Sequence, residues 1–249
     1  MRILATYNLK GGVGKTATAV NLAWLAASEG ARVLVWDMDP QGAASFYFRT
    51  RPKVKGGSKA LLRGKHDLDE LVVGTEYDNL DLLPADFSYR HMDAHLKDRN
   101  RPVKQMLRLL RPLSENYDYV FLDCAPSISV VSETVFKVAD ALLIPLIPTT
   151  LSLRTFYQIL DFLERKKLRH VELLPFFSMV DRRKKLHNQI IEELPAKWPR
   201  MLHTKVPYAS EIEKMGVNRA AVGDYARSTP SAVAYRALWN EVKMRLGLV

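Results

Sequence analysis

Leu9-Lys10-Gly11-Gly12-Val13-Gly14-Lys15-Thr16 joins an apolar run, Ile3-Leu4-Ala5-Thr6-Tyr7, to a segment with helical patterning from Thr16 onward. Three glycines within four positions let the backbone turn tightly and aim its N–H groups inward, and the helix that follows adds the positive end of its dipole to the same hollow. A polyphosphate fits there. Lys15 is placed to reach the β and γ phosphates, and the Thr16 hydroxyl to ligate a magnesium ion that bridges them. The general pattern G-x-x-x-x-G-K-[ST] asks for glycine at position 9, where this chain has Leu9 followed by a second lysine, Lys10. The loop is therefore a deviant form of the motif.

Outward from that loop, Ala17 to Ala27 has the small and apolar residues of a helix packed on a sheet, with Gly30 as its stop. Arg32 to Asp37 reads as a buried parallel strand. It ends in Asp37-Met38-Asp39-Pro40-Gln41-Gly42, two carboxylates two positions apart that point to one side at the carboxyl edge of a sheet, where α/β proteins hold ligands. Beside a phosphate loop, ligand work is the better reading of the pair than a simple turn. A second apolar strand, Tyr117 to Leu122, ends in Asp123, a pattern in which the carboxylate supports magnesium and its waters. Cys124 beside it reads as a small buried residue. Further strands are expected at Leu80 to Ala85, Ala141 to Pro148, Glu172 to Val180 and His203 to Val206, and helices at Pro102 to Leu113, Leu153 to Lys167, Lys185 to Leu194 and Pro230 to Leu246. Alternating strands and helices predict an α/β fold, a doubly wound, mainly parallel sheet with helices on both faces.

With 249 residues and 47% hydrophobic content, one substantial core and a single domain over residues 1–249 are expected. No run of eighteen apolar residues and no leader-like N-terminus is present, and one cysteine excludes an internal disulfide or a Cys-rich metal site within one chain. The cytoplasm is the expected compartment. The net charge of +10 is uneven: residues 1–150 hold 19 Lys+Arg against 17 Asp+Glu, net +2, and residues 151–249 hold 18 against 10, net +8. Such asymmetry marks a candidate polyanion-binding face. From Arg49 to Lys65 there are seven basic residues and no acidic one, broken by Pro52, Gly56, Gly57 and Gly64. That segment reads as an exposed loop, not a packed element.

With Lys10 to Thr16, Asp37 to Gly42 and Leu122 to Pro126 in this order, the chain resembles the ParA-type ATPases of plasmid and chromosome partition and cargo positioning, within the deviant Walker A group. The resemblance runs nearly end to end, through Asn79 to Ala85, Met179-Val180-Asp181-Arg182-Arg183, Val206-Pro207, Ser210-Glu211 and Gly216. It implies that ATP and Mg2+ are the cofactors. Lys10 would reach across an ATP-bound homodimer to the partner's nucleotide, and Lys15 with Gly11, Gly12, Val13, Gly14, Thr16 and Ala17 would hold the phosphates. Asp39 would position the attacking water, making Lys10, Lys15 and Asp39 the catalytic set. Thr16, Asp37 and Asp123 would serve the metal, and Met179 and Pro207 would lie near the adenine. Basic residues late in the chain would bind DNA without sequence preference, here Arg182, Arg183, Lys184, Arg219, Arg227 and Arg236. A ParB-like protein or small adaptor would be the stimulating partner, and the protein would associate with the nucleoid.

Three departures from the family pattern stand out. Ala17 replaces a usual second threonine, the Arg49 to Lys65 segment is long and basic, and the phosphate loop starts at residue 9, with no helix-turn-helix before it, so operator-specific autoregulation is not expected. Three rivals share the nucleotide motifs. A MinD-like membrane-cycling ATPase would need a lipid-inserting helix, for which Tyr235 to Val249 is the candidate, although a helix packed on a sheet has the same spacing. A nitrogenase-like reductase would need two cysteines for an iron–sulfur cluster and finds one. A nucleotide-gated adaptor that never hydrolyses ATP would differ in phosphate release.

Overall fold

Side-chain alternation along short apolar strands decides how the layers assemble. The computed structural model describes residues 1–64, 68–97 and 101–248, so Lys65 and Val249 lie outside the described residues. The strands are β1 (Arg2–Thr6), β2 (Val33–Asp37), β3 (Val73–Gly74), β4 (Leu80–Leu83), β5 (Tyr119–Asp123), β6 (Ala141–Leu146), β7 (Glu172–Val180) and β8 (Lys205–Pro207). They form one sheet in the order β3-β4-β2-β5-β1-β6-β7-β8, parallel throughout except where β3 pairs antiparallel with β4.

Leu4, Val33, Val35, Phe121 and Leu143 project to one face and pack with Leu22, Tyr235, Leu238 and Trp239 from the helices Lys15–Ser28 and Pro230–Arg245. Ile3, Ala5, Leu34, Trp36, Val120 and Leu122 project to the other, against Met106, Phe136, Phe156 and Ile190 of the helices Pro102–Leu110, Val130–Val138, Thr150–Arg165 and Lys185–Lys197. Burial of each such side chain contributes about 1.5–3 kcal/mol, which is why strands apolar on both faces settle between two helical layers. The expected doubly wound sheet is the fold observed.

The last helix spends its apolar face on this body. Trp239 is fully buried, stands edge-on to Tyr119 with ring centroids 5.3 Å apart, and donates its indole N–H to Glu29 at 3.0 Å. Its amphipathicity is that of a packed helix. Among the described residues no helix is long and apolar enough to cross a membrane.

The Arg49 to Lys65 segment departs from the expected loop. Gly57–Arg63 is a helix with Ser58, Ala60, Leu61 and Leu62 buried, and Val54 upstream is pinned by its N–H to Asp86 at 2.8 Å. Gly64, read as a breaker, is instead the left-handed C-cap that ends the helix. The basic side chains ride on its outer side while the aliphatic ones enter the core.

Candidate nucleotide site

Strand register brings the polar ends of three strands together. Thr6 pairs with Asp123 and Asp123 with Asp37 across β1, β5 and β2, and all three are fully buried. Their parity matches Leu4, Phe121 and Val35, so they face the layer that holds the helix Lys15–Ser28. The phosphate loop leaves β1 and enters that helix directly above this rung.

Local hydrogen bonds fix the loop. Asn8, fully buried, donates its side-chain amide to the Pro145 carbonyl of β6 at 2.8 Å and accepts the Lys10 backbone N–H at 2.9 Å. Lys15, 7% exposed, donates to the Lys10 carbonyl at 3.3 Å. Gly14 precedes the helix at φ 96°, and a Cβ there would stand 2.9 Å from the Ser178 hydroxyl, so only glycine fits. Thr18 donates its hydroxyl back to the Gly14 carbonyl at 2.7 Å and closes the first turn.

Two carboxyls on the rung are each left half satisfied. Asp37 Oδ2 accepts from both the Ser45 N–H and the Ser45 hydroxyl at 2.7 Å, and that hydroxyl accepts the Ala85 N–H at 2.9 Å. Asp123 accepts the Thr6 hydroxyl at 3.1 Å, and the nearby Thr16 hydroxyl also favours its charged form. Asp37 Oδ1 and Asp123 Oδ2 remain buried with no hydrogen-bond partner. Burial lifts both carboxyls above the ordinary range, and for Asp123 the neighbouring Asp37 adds to the rise. Burial also lowers the Lys15 ammonium, opposed by Asp123 and Asp39. Two uncompensated oxygens beside the Thr16 hydroxyl fit a hard divalent cation. Magnesium is held by one or two carboxylates together with substrate phosphates and waters, and among the described residues no cage of three or more acidic, His or Cys ligands forms.

Beyond the loop opens a cavity of about 410 Å³. Gly11, Gly12, Gly14, Lys15, Thr16 and Ala17 line its phosphate end, with Asp39 at the side. Asp39 also accepts the Gln41 N–H at 3.0 Å, so it makes a turn and borders the cavity at once. Met179 and Pro207 also line it, as do Tyr208 and Ile212. Met179 holds φ 53°, a sparsely populated conformation for a side chain of its size, at the end of β7. Val13 is fully buried and is not among the lining residues. Lys10, half-buried, is not among the lining residues. Cys124 is buried, as expected.

The sequence reading missed Thr6, Asn8, Ser45 and Ser178, and of these only Thr6 gave a signal, as a polar residue near the end of an apolar strand.

The basic residues expected to share one surface are dispersed in their bonding. Arg183 is tied to Asp181 through two nitrogens, both at 2.9 Å, and holds that carboxyl down at about 2. Arg219 donates to the Phe46 carbonyl at 2.9 Å and stacks over the Phe46 ring at 4.7 Å. Arg236 donates to the Arg227 carbonyl at 3.0 Å, which joins those two. Arg182 and Lys184 are exposed.

A phosphate loop between β1 and a helix, over a rung of two buried aspartates in a doubly wound sheet, defines a P-loop NTPase. Residues 1–174 match the model of the AAA domain family. The chromosome partitioning protein ParA of Myxococcus xanthus is 32% identical over 200 residues, covering 78% of this chain and 70% of that protein. The sporulation initiation inhibitor protein Soj of Bacillus subtilis is 31% identical over 198 residues, 78% of each chain. Cobyrinic acid a,c-diamide synthase from Mycobacterium smegmatis, solved with a bound ATP analogue and magnesium, superposes with a TM-score of 0.83 at 25% identity, covering 99% of this chain and 95% of that one. The chain belongs to the ParA-type ATPases of the ParA/MinD superfamily. The phosphate-loop cavity and the two half-satisfied buried carboxylates fit the groups bound in that neighbour, a nucleoside triphosphate and Mg2+.

Proposed function

We propose that the protein is an ATP-gated dimeric switch that binds DNA without sequence preference in its ATP form. It positions a plasmid, a chromosomal locus or a protein assembly along the nucleoid, with a ParB-like protein or small adaptor as stimulating partner. Lys10 carries this reading. Its backbone is pinned by Asn8 and Lys15 while its side chain stays off the walls of its own cavity. A cation so placed is free to meet the γ-phosphate of a facing copy, where it would neutralise charge that otherwise opposes closure.

Within each copy, the backbone N–H groups of Gly11 to Thr16 and the Lys15 ammonium hold the phosphates and stabilise the charge that builds on them. Met179 and Pro207 pack the base. Asp39, at the side of the phosphate end, orients the attacking water, a positioning role. Thr16, Asp37 and Asp123 would hold magnesium, which when bound neutralises phosphate charge. Hydrolysis is slow until the partner binds, because the ATP form must persist long enough to act.

The test is filter retention of unrelated duplexes with ATP, ADP and no nucleotide, across a salt range, beside light scattering. Retention and dimer mass should appear together with ATP alone, with a salt slope of about −0.9 for each phosphate neutralised. Equal retention in all three nucleotide states overturns the gating.

A further inference from the structure

A groove of about 1170 Å³ shares no lining residue with the nucleotide cavity. Leu62, Val103 and Leu107 give it an apolar floor, and Arg101, Lys104, Arg108 and Arg111 stand along it. These four follow one another at steps of three, four and three, from the N-cap to the C-cap of the helix Pro102–Leu110, and so share one helix face. All four are exposed and, among the described residues, enter no ion pair. Lys137, the fifth cation of the groove, is already bound to Glu133 at 2.6 Å. Among the described residues no carboxylate lines it. Arg101 and Lys104 also crowd the first turn of a helix with no acidic residue there, where the dipole disfavours cations.

We infer that this groove docks an acidic amphipathic segment of a partner protein, with apolar side chains at helical spacing on the floor and carboxylates against the four cations. Charge complementarity selects the acid, and the floor selects the peptide. A DNA duplex presents phosphates to a basic surface but nothing that would cover the half-buried Val103 and Leu107. Helix-in-groove recognition uses apolar anchors at i, i+3, i+4 and i+7, which a groove alongside one helix accommodates. The inference stands apart from the DNA reading, since none of its residues belongs to the nucleotide site or to the basic set late in the chain.

Fluorescence anisotropy on the full chain with ATP and magnesium tests it. The probes are three labelled 16-residue peptides with leucine, phenylalanine or methionine at the anchor positions and glutamate elsewhere, each beside a scrambled copy of the same composition. At least one patterned peptide should bind tenfold or more tighter than its scramble. The double variant Lys104→Glu with Arg108→Glu should lose tenfold or more of that affinity while keeping its ATPase rate, its melting curve and its retention of a 30-base-pair duplex. If reversal of charge prevents folding, Lys104→Gln with Arg108→Gln carries the same comparison with a smaller loss. Equal binding of patterned and scrambled peptides overturns the inference. So does unchanged peptide affinity in the variants, or a loss that falls on the duplex or on phosphatidylglycerol vesicles instead.

Discussion

Asp37 and Asp123 stand opposite each other on one rung of β2 and β5, both without exposed surface, and each keeps one carboxylate oxygen that no hydrogen-bond donor reaches. Two buried acids at that spacing oppose each other until a cation joins them, so the nucleotide-free protein carries a cost that the loaded one does not.

That cost has a pH signature. Both carboxyls are raised in the folded state, so over the interval from the ordinary carboxylate value up to the raised ones the folded protein binds more protons than the unfolded chain. Stability from this pair is therefore present at low pH and lost as pH rises through the interval. Asp123→Asn removes one charge, keeps an acceptor for Thr6 and puts a donor where the orphan oxygen was. Without nucleotide, and with EDTA, it should melt higher at pH 7.5, by roughly 2–4 °C for each kcal/mol gained. The gain should shrink at pH 4.5, and affinity for ATP with magnesium should fall. A variant that melts lower at pH 7.5 would show that the pair is not under strain.

Gly14 and Ser178 give a test of the loop itself. Gly14→Ala forces a side chain into φ 96° and against the Ser178 hydroxyl, for about 1–3 kcal/mol of strain, felt in nucleotide binding. Adding Ser178→Ala relieves the clash but not the backbone, so calorimetric ATP affinity should recover only in part. Full recovery in the double variant would mean that the dihedral angle is not what the glycine supplies.

Both ends of this site were legible for different reasons. Asp37 and Asp123 announce themselves because each closes an apolar run, and Gly11 to Thr16 because three glycines between a strand and a helix have few other uses. Nothing local marks Asn8, whose partner is a carbonyl 137 residues away, or Ser178, which matters only because Gly14 comes to rest against it. Neighbours brought together by the fold carry no short-range signal. The Gly57–Arg63 helix was obscured by its surroundings: over Arg49 to Lys65 seven basic residues dominate the composition and outnumber Ala60, Leu61 and Leu62, which hold the helix down. Val73–Gly74 is too short a strand to show any period.

On the proposed trans role, a Lys10 variant separates binding from dimerisation. Lys10→Ala leaves the phosphate-lining residues in place, so ATP binding should stay measurable while the ATP-dependent dimer disappears from light scattering. A normal dimer in this variant would remove the trans role.

On the proposed water-positioning role, an Asp39 variant separates binding from chemistry. Phosphate-binding groups hold the ground state whereas water placement acts on the hydrolytic step, so Asp39→Ala should bind ATP, accumulate the dimer and turn over about 10²-fold or more slowly. Partner-stimulated phosphate release that survives in this variant would assign the water to another group.

Pairing within the basic set predicts unequal contributions to DNA binding. Arg183 is held by Asp181, so its charge is largely spent, and a phosphate would have to displace a bidentate carboxylate to use it. Arg219 is committed to Phe46 by a hydrogen bond and by stacking. Arg182 and Lys184 are exposed on the same connection between β7 and the following helix, with no ion pair among the described residues. Arg182→Glu with Lys184→Glu should therefore weaken duplex retention in the ATP state more than Arg183→Glu does, and should lower the magnitude of the salt slope by roughly 0.9 for each phosphate that a copy no longer neutralises. Arg183→Glu adds the further complication of two carboxylates side by side, so Arg183→Ala is the cleaner comparison; it should leave the slope nearly unchanged. The opposite ranking, with Arg183→Ala costing most, would mean that Asp181 releases its arginine when DNA binds, and a rise of the Asp181 carboxyl toward the ordinary range in the DNA-bound dimer would then be measurable by NMR titration.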